Sequence, residues 1–137
     1  MKRVNYLFAA ICIIALSFGS CSKESGIKNG KLSGTSWSYY RDDSNAEAVR
    51  GQYTYTISFT SETAGKRTET GWMQSRNPAT WQWKDKVNIN ETKNFTYVYT
   101  PELKEGLITY SSSNQSVFFI SDNFKELTFG GWVYTLK

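Results

Sequence analysis

The sequence has 137 residues, no histidine and two cysteines, and its 16 lysines and arginines exceed its 12 aspartates and glutamates by four. Without imidazole, Ser–His–Asp and Cys–His nucleophile systems, histidine acid–base catalysis and histidine-ligated zinc or copper are excluded. The length suits one ordinary domain, and the small charge excess argues against a nucleic-acid partner.

Lys2 and Arg3 open the chain, and no acidic residue precedes Glu24. Residues 7–18 are apolar apart from Ser17. As a helix they would span about 18 Å, short of the ~30 Å hydrocarbon core of a bilayer. The pattern predicts a cleaved secretory signal over residues 1–20. It ends in Phe18-Gly19-Ser20-Cys21, which resembles the bacterial lipobox, with Phe18 where leucine is usual. The resemblance implies that Cys21 becomes the N-terminus and is acylated on sulfur and nitrogen, palmitate being the typical chain. Two or more chains hold a protein stably on a membrane. The competing reading is an ordinary signal with an incidental cysteine, but no other stretch offers a cleavage site.

Cleavage removes Lys2, Arg3 and Cys12, leaving 14 basic against 12 acidic side chains, a net of +2. With Cys21 acylated, the remaining domain has no thiol and no disulfide, so its core alone must hold it. That core is aromatic: of 22 Phe, Trp and Tyr, only Tyr6, Phe8 and Phe18 belong to the signal.

Residues 21–33 read as the lipidated cysteine and a polar, Gly-containing tether with a reach of about 20 Å. Residues 34–137 read as one domain. Within it the period is two. In residues 52–60, Tyr53, Tyr55, Ile57 and Phe59 share one face while Thr54, Thr56, Ser58 and Thr60 share the other. Residues 94–100 repeat this with Phe95, Tyr97 and Tyr99. Such alternation marks half-buried antiparallel strands. Further strands are expected at 36–41, 66–76, 107–111, 116–120, 126–129 and 132–136, separated by turn residues such as Asn77-Pro78 and Gly130-Gly131. Residues 81–84 and 87–90 read as one bent strand or two short ones, and residues 43–49 have room for a single helical turn. Short links favour an all-β, eight-stranded up-and-down antiparallel barrel, with a β-sandwich as the alternative.

Leu32-x-Gly34-Thr35-x-Trp37, the Phe/Tyr-rich strands, Phe119-Ile120-Ser121, Glu126-Leu127-Thr128-Phe129 and the terminal strand bearing Tyr134 resemble the small lipocalin-like lipoproteins of Bacteroidetes. The Gly-x-x-Trp spacing is one residue longer than the Gly-x-Trp motif of lipocalins, whose tryptophan closes the barrel floor. The resemblance implies an eight-stranded barrel that holds a small apolar ligand, on a protein of the outer membrane. Surface-export signals in this group tend to carry an acidic run after the cysteine. Ser22-Lys23-Glu24 lacks it, so the periplasmic and outward faces both stay open.

Two features carry candidate chemistry. Trp81 and Trp83 lie two apart and share a face in any strand, where they either stack on sugar rings or fill the barrel. Residues 66–86 hold Lys66, Arg67, Arg76, Lys84 and Lys86 against Glu69 and Asp85, together with Trp72, Trp81 and Trp83. Such a basic, aromatic strip suits an anionic glycan, a lipid phosphate or a membrane surface, while charges on a wet sheet face ordinarily serve solubility. The candidate ligand-binding residues are thus Trp72, Trp81, Trp83, Arg67, Arg76 and Lys84. Two of the carboxylates Glu62, Glu69, Asp85, Glu91, Glu102 and Glu105 could serve a glycosidase only at about 5 Å or 6.5–9.5 Å separation. Most sit at turns, so catalysis is not expected, nor any cofactor or metal. The expected function is non-catalytic binding of a small apolar or glycan ligand, or of a neighbouring envelope protein. The alternative is a structural lipoprotein with a filled barrel.

Overall fold

The computed structural model describes Ile27 and residues 30–137. The signal segment, Cys21 and most of the tether lie outside the described residues. The strands are β1 (Ser36–Asp42), β2 (Val49–Phe59), β3 (Ala64–Ser75), β4 (Val87–Thr100), β5 (Glu105–Ser111), β6 (Asn114–Ile120), β7 (Glu126–Phe129) and β8 (Trp132–Leu136). Each pairs antiparallel with the next, and β8 returns to β1 through Trp37–Leu136 and Ser38–Thr135. The expected all-β, eight-stranded up-and-down barrel is therefore the fold, closed although β4 has a partner in β5 only from Thr96 on.

Two local expectations resolve differently. Residues 87–90 begin β4, a single strand of 14 residues. Residues 81–84 form a loop beyond it, joined to the end of β3 by the Arg76–Trp83 bridge. Residues 43–49 form no helix. The Ala46 N–H closes a turn on the Asp43 carbonyl at 3.0 Å, and Val49 already belongs to β2. A segment so short cannot offset the cost of helix nucleation.

The core sits at the end of the barrel carrying the β2–β3, β4–β5 and β6–β7 turns. Ile57, Phe59, Phe95, Tyr97, Ile108 and Phe118 are buried there. Phe59 meets Tyr97, Phe118 and Phe95 with centroids 4.7, 5.5 and 5.8 Å apart, two of these contacts edge to face. Such pairs add to what ring burial alone supplies. Two glycines make room for these rings. A Cβ on Gly65 would stand 2.4 Å from the Phe95 ring, and one on Gly106 2.3 Å from that of Phe118. In each case ring and glycine are direct cross-strand partners.

Trp37 is wholly buried beside this cluster. Its indole N–H donates to the Thr35 hydroxyl oxygen at 2.9 Å, and that hydroxyl donates to the Leu32 carbonyl at 2.6 Å. Leu32, near the end of the stretch read as tether, is itself buried in the core. The chain thus enters across the floor, where Lys31 pairs with Glu62 of the β2–β3 turn.

The barrel is lopsided. β2, β3 and β4 run 11, 12 and 14 residues, whereas β7 and β8 run four and five. The Gly130-Gly131 hairpin, with φ of +58° and +81°, turns the short side back in two residues. A tall wall of β2–β4 consequently rises past the packed floor, with one face toward the barrel axis and the other outward.

Candidate functional site

Strand alternation assigns each wall residue to a face. On the inner face, Tyr39, Tyr53, Tyr55 and Trp132 build a ladder of rings. Tyr39 stacks on Trp132 at 4.9 Å and on Tyr55 at 6.1 Å, and Tyr55 stacks on Tyr53 at 6.2 Å. The Arg41 guanidinium lies over the Trp132 and Tyr53 rings, 5.4 and 6.0 Å from their centroids, and is held by Asp43 at 2.6 Å. The Tyr rings of the ladder are half-buried, while Trp132 keeps 41% of its surface exposed at the rim.

Below and beside the ladder, Arg67 faces Lys93 and Glu69 faces Glu91 as direct cross-strand partners. Two cations and two carboxylates thus balance inside one cleft, which leaves only about 10 Å³ of space, room for about one water. Arg67 also lies 5.3 Å from the Tyr55 ring centroid, and its Nε and the Tyr110 hydroxyl are buried without a hydrogen-bond partner. Burial, reinforced by the charge and hydrogen bonding of Glu69 and opposed by Arg41 and Arg67, pushes the Tyr55 hydroxyl up to about 12. Burial likewise raises Tyr110 and Tyr134, with Arg67 opposing in both.

The outer face of the same wall is different. Lys86 sits 4.0 Å from the Trp72 ring centroid, and Trp72 donates its indole N–H to Gln52 at 3.0 Å. Higher up, the guanidinium groups of Arg50 and Arg76 lie 4.2 and 4.3 Å from the Trp83 centroid, and Arg76 also approaches Trp81 at 5.4 Å. The loop is fixed by its own backbone. Asn77 N–H donates to the Gln82 carbonyl at 2.7 Å, Trp81 N–H to Asn77 at 2.8 Å and Lys84 N–H to Ser75 at 2.9 Å. Arg76 Nη1 donates to the Trp81 carbonyl at 2.6 Å.

Of the six ligand-binding residues expected from sequence, Trp72, Trp81, Trp83, Arg76 and Lys84 belong to this outer wall and its lip. Arg67 does not join them. It has the opposite parity to Trp72 along β3 and turns into the barrel. Sequence reading missed Tyr39 and Arg41 as parts of the inner site. The available signal was parity: Arg41 shares the face of the buried Trp37, an unexpected position for a charge unless that face has left the core. Glu69 and Glu91 are brought together across β3 and β4, flanked by Arg67 and Lys93. Among the described residues, no group of three Asp, Glu, Cys or His is placed to hold a metal. The chain matches no protein-family model, no curated protein and no solved structure.

Proposed function

We propose that the protein is a lipocalin-like envelope lipoprotein, tethered to the outer membrane through acylated Cys21, whose barrel binds a small ring-bearing ligand, apolar or sugar, without chemistry. The observation that carries the binding reading is the ladder Trp132–Tyr39–Tyr55–Tyr53, overlaid by Arg41 and Arg67. It offers partly accessible ring faces at the open end of a barrel whose other end is filled. Stacked rings supply apolar contact while the balanced Arg67, Glu69, Glu91 and Lys93 supply donors and acceptors without a net field, a combination suited to an uncharged ring. The lipoprotein part rests on the lipobox-like Phe18-Gly19-Ser20-Cys21. A non-catalytic role is supported by a domain without histidine or free thiol.

Mass spectrometry of the protein extracted from its own membranes tests both parts. The expected mass is that of residues 21–137 plus acyl chains on Cys21, together with a co-purifying small molecule that Tyr39→Ala fails to retain. Cys21→Ser should leave an unprocessed or untethered protein that still folds. A variant that stays processed and membrane-bound removes the anchor. The second reading, a structural barrel with no ligand, is favoured by the dense packing of Phe59, Phe95, Tyr97 and Phe118. It prevails if nothing co-purifies and Tyr39→Ala leaves every binding signal unchanged.

A further inference from the structure

We infer that the outer lip of the tall wall, centred on Trp81, Arg76 and Lys84, is a second binding site, for an acidic polysaccharide. The inference is independent of any ligand on the inner ring ladder, because the lip lies in the loop between β3 and β4 and shares no residue with the ladder.

The first observation is unmatched charge. Among the described residues, ion pairs engage Lys31, Arg41 and Lys104. Arg50, Arg76, Lys84 and Lys86 have no carboxylate within pairing distance. Three of the four are instead held against tryptophan rings, which fixes their position without cancelling their charge. The second observation is a strained ring. Trp81 has φ of +57° and keeps 58% of its surface exposed. A bulky residue in the left-handed region is strained and persists only where surrounding contacts impose it. The hydrogen bonds from Trp81 N–H to Asn77 and from Arg76 to the Trp81 carbonyl impose it here. The loop holds an indole out in solvent at a conformational cost that glycine would avoid, and no core contact repays it.

The third observation is the neighbouring surface. Asn77, Thr80, Gln82, Trp83, Lys84 and Asp85 line an open depression of about 490 Å³. Its amides, hydroxyl, ammonium and carboxylate both donate and accept, as sugar hydroxyls require. A phosphodiester chain or a lipid headgroup layer presents mainly acceptors and gains nothing from Asp85. Resting on the proposed Cys21 anchor, location adds a further argument against the membrane. The chain enters at the floor, and β3 climbs 12 residues from there to the lip. At ~3.3 Å per residue and a tilt of about 40°, the lip stands roughly 30 Å away. Trp81 thus serves as the platform for a sugar face, the depression takes hydroxyls, and Arg76 and Lys84 meet carboxylates along the chain.

Titration of the purified protein with polygalacturonate, followed by tryptophan fluorescence and calorimetry, tests the assignment. Saturable binding that weakens as salt rises is expected, with little binding of neutral dextran. Trp81→Gly keeps the φ of +57° without strain, so the fold should be as stable as before while affinity falls roughly tenfold or more. Lys84→Gln should weaken binding and flatten its salt dependence, and Trp81→Phe should restore most of the affinity. Absence of polygalacturonate binding overturns the inference. So does binding that is indifferent to Trp81→Gly and Lys84→Gln, or equal affinity for phosphatidylglycerol vesicles or single-stranded oligonucleotides.

Discussion

The lower and upper halves of the barrel are built from the same strands yet have opposite chemistry at the inward positions. Along β1 these run Trp37, Tyr39, Arg41. Along β2 they run Phe59, Ile57, Tyr55, Tyr53. β3 gives Gly65, Arg67 and Glu69, and β4 gives Tyr97, Phe95, Lys93 and Glu91. In the paired register the change from apolar to polar comes one inward pair earlier in β3 and β4, where Arg67 and Lys93 stand level with the buried Ile57 and Trp37. The backbone alternation continues unbroken through the change. What ends the core is therefore composition at one parity, not a change in secondary structure. Below that boundary rings interlock and exclude water. Above it they stack in a single layer whose faces stay partly open, and cations rest on them. Stability belongs to the lower half, which leaves the upper half free to carry side chains that a core would not tolerate.

The sharpest way to break this division is Phe118→Ala. The ring touches Phe59, Tyr97 and Tyr99, and covers Gly106. Its loss should destabilise the fold by about 3–5 kcal/mol in denaturant unfolding, since the rigid barrel cannot collapse into the gap. Gly106→Ala should come next, at about 1–3 kcal/mol, because its methyl would overlap that ring and stand 2.5 Å from the Val98 carbonyl oxygen. Combined with Phe118→Leu, the ring's share of the Gly106→Ala penalty should disappear while the Val98 carbonyl's share stays, giving a coupling energy of roughly 1 kcal/mol. Additive costs in that cycle would mean that ring and glycine do not work as a pair.

Much of the strand order was readable because each device that sets it is local. Period two in 52–60 and 94–100, Gly130-Gly131 and the Asn77-Pro78 break all act within a few residues, so strand identities and the meander follow from them. Barrel over sandwich was harder, since closure depends on the few β1–β8 partners. The join of 87–90 to β4 depended on how far β3 extends to pair with it. The upper half was less legible because its sites are defined by neighbours across strands. Trp83 meets Arg50 from β2, 33 positions earlier, and Tyr39 meets Trp132 from the last strand. The basic strip was visible as composition, but its division into an inward Arg67 and an outward remainder required knowing which parity of β3 faces the axis.

In the upper half, Tyr53→Ala should remove one ring from the ladder and one support of Arg41. Half-buried and outside the interlocked cluster, it should lower stability by only about 1 kcal/mol. Loss of the co-purifying ligand with so small a stability change would separate site from scaffold. A melting point as depressed as that of Phe118→Ala would erase the distinction between the halves.

The smallest effect is the most specific to this polar interior, and it appears only at high pH. The Tyr55 phenol titrates at about 12 in the folded protein against the ordinary 10.0, chiefly through burial and then through Glu69. Because the folded value is raised, its contribution is fully present below pH 10. Between pH 10 and about 12 the unfolded chain loses this proton while the folded protein keeps it, so stability falls over that window. Tyr97, Tyr99, Tyr110 and Tyr134 are also raised by burial and add to the decline. Tyr55→Phe should therefore unfold with a shallower loss of stability between pH 10 and 12. Its tyrosinate absorbance should lack one late-titrating component. If the variant and the parent protein titrate and unfold alike through that range, Tyr55 is not held by burial beside Glu69, and the wall above the core is wetter than its ring stacking implies.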